Sequence, residues 1–156
     1  MTARQDDGMS EVVATAERIV RAPVERTFAA LADYERVRPR IVTEKFLDYR
    51  VESGGQGAGT RVAWRFAATK TRVREQVMTV TQPTENTLVE TDENSTLVTM
   101  WTVHPADAGV TTVRVRTSWQ GGTGMGGFFE RTFAPKGLRQ VYDRMLEQLD
   151  AEIAPG

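Results

Sequence analysis

Val110-Thr111-Thr112-Val113-Arg114-Val115-Arg116-Thr117-Ser118-Trp119 carries the clearest alternation in the chain. Val113, Val115, Thr117 and Trp119 share one phase, and Arg114, Arg116 and Ser118 the other. A period of two belongs to a strand with one face in a core and the other in water. Five further strands are expected before it: Lys45 to Val51, Thr60 to Phe66, Arg72 to Thr81, Leu88 to Thr91, and Leu97 to His104. Gly54-Gly55-Gln56-Gly57-Ala58-Gly59, Gln82-Pro83 and Pro105-Ala106-Asp107-Ala108-Gly109 punctuate them. The connections are short. Antiparallel pairing is therefore expected, because a parallel crossover needs about a dozen residues or more.

The flanks change period. Glu11 to Val20 alternates loosely and reads as a first strand. Ala22-Pro23-Val24-Glu25 starts a helix, since proline suits the first helical position. Val24, Phe28 and Leu31 then fall at helical spacing. Tyr34 to Arg38 is expected as a second short helical piece, ended by Pro39. Beyond Trp119, Leu138, Val141, Tyr142, Met145, Leu149 and Ile153 form one apolar stripe of a long helix. The expectation is an α+β fold: a seven-stranded antiparallel sheet wrapped around a long C-terminal helix, with two short helices after the first strand. Residues 1–10 are expected to be a flexible N-terminus, and 11–154 a single domain.

The totals exclude several function classes. The chain has 156 residues, 20 basic and 21 acidic, for a net charge of −1. A near balance argues against a general polyanion binder, so no nucleic acid partner is expected. There is no cysteine, hence no disulfide or thiolate chemistry. The first residues, MTARQDDGMSEVV, lack an apolar secretory region, and no window approaches the ~18 apolar residues of a membrane span. A cytoplasmic protein without stable membrane insertion is the expectation, and Asn94-Ser95-Thr96 is then an idle glycosylation match. Oligomeric state is open.

Arg18-Ile19-Val20-Arg21-Ala22-Pro23-Val24-Glu25-Arg26-Thr27-Phe28 resembles the opening of the START-like, helix-grip superfamily. It is closer still to the bacterial polyketide cyclase/dehydrase and lipid-transport families. Gly55-Gln56-Gly57-Ala58-Gly59-Thr60-Arg61 is similar to their glycine-rich hairpin. Val103-His104-Pro105 with Gly109-Val110-Thr111-Thr112-Val113 resembles their penultimate turn. Gly124-Met125-Gly126-Gly127-Phe128-Phe129-Glu130-Arg131 resembles the approach to their last helix. The resemblance covers about Val12 to Ile153. It implies a hydrophobic cavity between sheet and last helix, of several hundred Å³ if ordinary for ligand pockets. It implies a small hydrophobic partner such as a lipid or polyketide. The alternative is an aromatase/cyclase-type enzyme acting on a polyketide in the same cavity.

Other motifs weigh little. Gly122, Gly124 and Gly127 satisfy G-x-G-x-x-G between a strand and a helix, but no second strand follows to complete a dinucleotide unit. Gly54 and Gly59 have phosphate-loop spacing, yet Thr60 stands where the lysine belongs. The expectation there is a tight, mobile hairpin, acting as a gate. His104 is the only histidine and falls on the outward phase of its strand. No metal or organic cofactor is expected. Arg61, Arg65, Arg72, Arg74, Arg114 and Arg116 are expected on the convex, solvated face.

The expected ligand-binding residues follow from the inward phases and the helix stripe. They are Trp64, Phe66, Glu75, Val77, Trp101, Val103, Val115, Thr117, Trp119, Phe129, Leu138, Tyr142 and Met145. Along Arg72 to Thr81 two phases compete. The one placing Val73, Glu75, Val77 and Thr79 inward leaves Arg72 and Arg74 in water, and burying an unpaired charge is costly. It makes Glu75 the candidate catalytic residue.

Overall fold

The computed structural model describes residues 11–120 and 135–155. The element order is β1 (Glu11–Val20), α1 (Val24–Leu31), α2 (Arg38–Ile41), β2 (Phe46–Ser53), β3 (Arg61–Ala67), β4 (Val73–Thr84), β5 (Thr87–Asp92), β6 (Val98–Asp107), β7 (Val110–Gln120) and α3 (Pro135–Ile153). The strands form one antiparallel sheet in the order β1-β7-β6-β5-β4-β3-β2. From β2 to β7 each strand pairs with its chain neighbour, as short turns require. The first strand pairs with the last over ten residues, Glu11 with Gln120 through Val20 with Thr111. The fold is the expected helix-grip α+β fold.

The core lies between the concave face and α3. Val62, Trp64 and Phe66 face it from β3, Trp101 and Val103 from β6, and Val113, Val115 and Trp119 from β7. Leu138, Val141, Tyr142, Met145, Leu146, Leu149 and Ile153 face them from the helix. His104 is exposed on the opposite phase of β6.

Two local expectations are corrected, at Pro39 and Arg74, and the glycine hairpin shows its bonds to the segment after α1. Pro39 does not end a helix at 34–38. It stands in the first turn of α2, where its missing N–H has no intrahelical acceptor to serve. The glycine hairpin is tied down: Tyr34 N donates to Gly55 O at 2.9 Å and Gly57 N to Ala32 O at 2.8 Å. Gly55 sits at φ 135°, and a Cβ there would meet the Glu35 side chain at 2.5 Å, so glycine is required. Arg74 is not convex. It pairs with Phe66 across β3 and β4 and so shares the concave phase, at the sheet's end, where Nη2 donates to Asn94 O at 3.1 Å.

Candidate functional site

Register fixes what the concave face offers. Trp64 pairs with Gln76, and Val62 with Met78, so β4 turns Gln76, Met78 and Val80 inward. Trp64 Nε1 donates to Gln76 Oε1 at 2.7 Å, which satisfies both buried groups. The phase expected for this strand is therefore reversed. Glu75 lies on the convex face with its side chain 46% exposed, bonded by Arg50 Nη2 at 2.5 Å. Val77 is half-buried on that same outward phase. The expectation failed because it sent Arg74 to water by turning the whole strand, whereas the strand's end does this at no cost to the phase.

The buried acid that borders the interior space is Glu90 of β5. It pairs with Thr99 of β6, and Thr99 pairs with Thr117 of β7. Directly paired residues project from the same face of a sheet. A polar lane, Glu90–Thr99–Thr117, thus crosses three strands beneath α3. The next row, Leu88–Trp101–Val115, is apolar.

Both ends of the lane are capped. Arg38, 2% exposed, reaches Glu90, 3% exposed, with Nη2 2.8 Å from Oε2. Tyr34 OH donates to the same Oε2 at 2.6 Å, and Arg38 Nε donates to Leu31 O at 2.7 Å. The Arg38 guanidinium carbon lies 4.4 Å from the Tyr34 ring centre and 4.6 Å from that of Trp101, within cation–π range. At the other end Tyr142 OH bonds Thr117 Oγ1 and lies 3.5 Å from Thr99 Oγ1, while the two threonine hydroxyls are 2.8 Å apart.

The electrostatics follow from this burial. Desolvation works against the charged guanidinium of Arg38, yet Glu90 beside it outweighs that and holds its pKa above the ordinary guanidinium value. Burial pushes the Tyr34 phenol well above 10.0, with Arg38 opposing. Burial pushes Tyr142 up to about 12, against the lowering effect of its bonds to Thr117 and Thr99.

Above the lane lies an interior space of about 30 Å³. That is room for about two water molecules, far below the several hundred Å³ expected. Trp64, Phe66, Trp101, Leu138, Tyr142 and Met145 border it, as do Arg38, Val42, Phe46, Tyr49, Gln76, Met78, Glu90, Leu97 and Thr99. Phe46 meets Trp64 and Phe66 edge-on, with centroids 5.3 and 5.1 Å apart, and Tyr49 stacks on Trp64 at 5.9 Å. Val103, Val115, Thr117 and Trp119 are buried in the floor and do not border the space. Phe129, and the motif of Gly122, Gly124 and Gly127, lie outside the described residues.

Sequence reasoning missed Arg38 and Glu90. The available signal was the phase of β5, where Leu88, Glu90 and Asp92 alternate with Val89 and Thr91. Leu88 inward makes Glu90 and Asp92 inward too. Asp92 is consumed structurally, accepting from Val77 N at 3.2 Å and Ser95 Oγ at 2.7 Å. Among the described residues, no cluster of three histidine, aspartate or glutamate side chains is placed to hold a metal. No helix among them is long and apolar enough to cross a membrane.

Residues 11–154 match the family described as polyketide cyclase / dehydrase and lipid transport, and the chain belongs to it. Among solved structures it is similar to the KanY protein, with 44% identity over 92% of this chain and 98% of that one, and a TM-score of 0.83. The protein TTHA0849 from Thermus thermophilus shares 19% identity over 90% of this chain and 95% of that one, at a TM-score of 0.72. The Zhui aromatase/cyclase from Streptomyces sp. R1128 shares 14% identity over 92% and 93%, at 0.65, a likeness of fold alone. No curated protein sequence matches the chain.

Proposed function

We propose that this protein binds a small, largely apolar aromatic molecule non-covalently, between the concave face of the sheet and the first half of α3. It acts as a carrier, sensor or store in the cytosol, with no cofactor. The observation that carries the reading is the lining itself: Phe46, Tyr49, Trp64, Phe66, Leu138 and Met145 surround a space with one polar lane at its floor. Ligand sites are mostly apolar with a few polar groups that fix orientation. The family's description, which includes lipid transport, is consistent with a bound apolar molecule. At about 30 Å³ the space receives a polar substituent as it stands. The body of a ligand needs Leu138, Tyr142 and Met145 to move outward.

The cyclase reading has lost its base, since Glu75 is ion-paired at the surface. Glu90 is the acid that borders the space, and its Oε2 is held by Arg38 and Tyr34. The convex arginines do not favour a nucleic acid partner either: Arg50, Arg61 and Arg65 are paired with Glu75, Glu52, Glu93 and Asp48. Titration with N-phenyl-1-naphthylamine tests the binding reading. The expected result is saturable probe emission with quenching of tryptophan. A linear, non-saturating response contradicts it.

A further inference from the structure

The polar lane discriminates between kinds of ligand, and the inference drawn from it rests on the binding reading above. Glu90 bonds to Arg38 and Tyr34 through Oε2 alone. Its Oε1 accepts no hydrogen bond among the described residues, and Glu90 borders the interior space. An acceptor that opens on this space takes its donor from water or from a ligand, and a ligand that displaces the water without supplying a donor loses that bond. The charge of the lane is already closed. Arg38 is the cation beside Glu90, and its Nε is also spent on Leu31 O. A ligand anion brought here meets the Glu90 carboxylate and, among the described residues bordering the space, no cation but the committed Arg38, so it is buried unpaired. In the adjoining row Trp101 Nε1 is a buried donor without a partner among the described residues. The hydroxyls of Thr99, Thr117 and Tyr142 bond chiefly to one another.

We infer that the ligand is an uncharged aromatic molecule carrying a hydroxyl at its buried end, which donates to Glu90, and that aromatic carboxylates of the same size are rejected. Specificity of this kind comes from a site group left unpaired by the wrong molecule, and its discrimination exceeds that of apolar fit. Arg38 has a positioning role, pairing with Oε2 so that the other oxygen of Glu90 is left to the space.

Three naphthalenes of one body test this by calorimetry at neutral pH: 2-naphthol, 2-methoxynaphthalene and 2-naphthoate. The expected result is that 2-naphthol binds at least about tenfold tighter than 2-methoxynaphthalene, with 2-naphthoate weakest, because a lost hydrogen bond to a charged acceptor is worth that much. Glu90→Gln leaves Arg38 unpaired and is expected to reverse the order, so that 2-naphthoate becomes the tightest. If Glu90→Gln does not fold, the double variant Arg38→Met/Glu90→Leu has no buried charge, and it is expected to lose the preference for 2-naphthol over 2-methoxynaphthalene. Equal binding of 2-naphthol and 2-methoxynaphthalene to the unaltered protein overturns the inference while leaving the binding reading intact. So does tightest binding of 2-naphthoate. Failure of all three to bind overturns both.

Discussion

The two halves of α3 present the same apolar stripe and are held in different ways. From Gln148 onward the helix is latched by polar contacts. Asp150 accepts from Arg21 N at 2.9 Å and pairs with the Arg21 guanidinium at 3.0 Å. Gln148 Nε2 donates to Ile41 O at 2.5 Å, and Glu152 pairs with Arg40 at 2.8 Å. Before Gln148, the only polar tie to the rest of the fold among the described residues is the Tyr142 hydroxyl, on Thr117 and Thr99. Leu138 and Met145 instead border the interior space. Apolar packing is non-directional and re-forms after a displacement, whereas oriented hydrogen bonds do not. The latched half therefore fixes the helix on the sheet, and the other half is left able to move over a ligand.

The largest effect is expected at the floor to which the latched half is joined through α2. Arg38→Met leaves Glu90 buried without its cation and is expected to lower stability by about 3–5 kcal/mol in urea denaturation. A change below about 1 kcal/mol would mean that the pair is not desolvated as described.

Asp150→Asn attacks the latch directly. Burial alone would raise the carboxyl's pKa, but the bonds from Arg21 win and hold it below the ordinary 3.8. A carboxylate with a depressed folded pKa contributes stability above its unfolded value and loses it as pH falls through the folded one. Asp150→Asn should therefore cost about 1–2 kcal/mol at neutral pH, the usual worth of such charged hydrogen bonds. That cost should shrink toward zero below pH 3.8. A cost independent of pH would remove the charge from the explanation.

Tyr142→Phe removes the one polar tie of the other half, for about 1 kcal/mol. All three tyrosines of the chain, Tyr34, Tyr49 and Tyr142, have pKa values raised by burial. Raised phenols favour the folded state below 10.0 and cease to do so as pH climbs through their folded values. Ultraviolet titration should show no phenolate near pH 10.0, followed by a joint rise as the protein unfolds. A single phenolate appearing at 10.0 in folded protein would expose one of the three.

The smallest expected effect is at Gly137, in the first turn of α3. A Cβ there meets nothing within 4 Å. Gly137→Ala should stabilise by about 0.5 kcal/mol and stiffen the half that covers the space. It should slow uptake of N-phenyl-1-naphthylamine without changing the latch. Unchanged uptake would mean that this turn does not take part in opening.

Much of the fold was legible in the residues, and the site was legible only in part. Period-two runs such as Val113–Trp119 report which face is buried, and the stripe from Leu138 to Ile153 reports the helix that covers it. Those two signals place Trp64, Phe66, Trp101, Leu138, Tyr142 and Met145 around the space. Charged residues on inward phases were misread for one physical reason: their sign of burial depends on a partner far away in sequence. Glu90 is buried because Arg38, on another element, meets it. Glu75 is exposed although its neighbours Gln76 and Met78 are buried. The phase of β5 points Glu90 inward, but the partner that permits its burial, and the pairing that holds Glu75 outside, are absent from a local window. The size of the space was illegible for a similar reason, because it depends on how Phe46, Trp64 and Tyr49 stack.

Amide hydrogen exchange along α3, with and without N-phenyl-1-naphthylamine, tests the central claim most directly. Local opening reports how firmly each segment is held. Residues 138–145 are predicted to exchange faster than 146–153 in the free protein, and the probe is predicted to slow the first group selectively. Equal protection along the whole helix, unchanged by a saturating probe, would contradict the account.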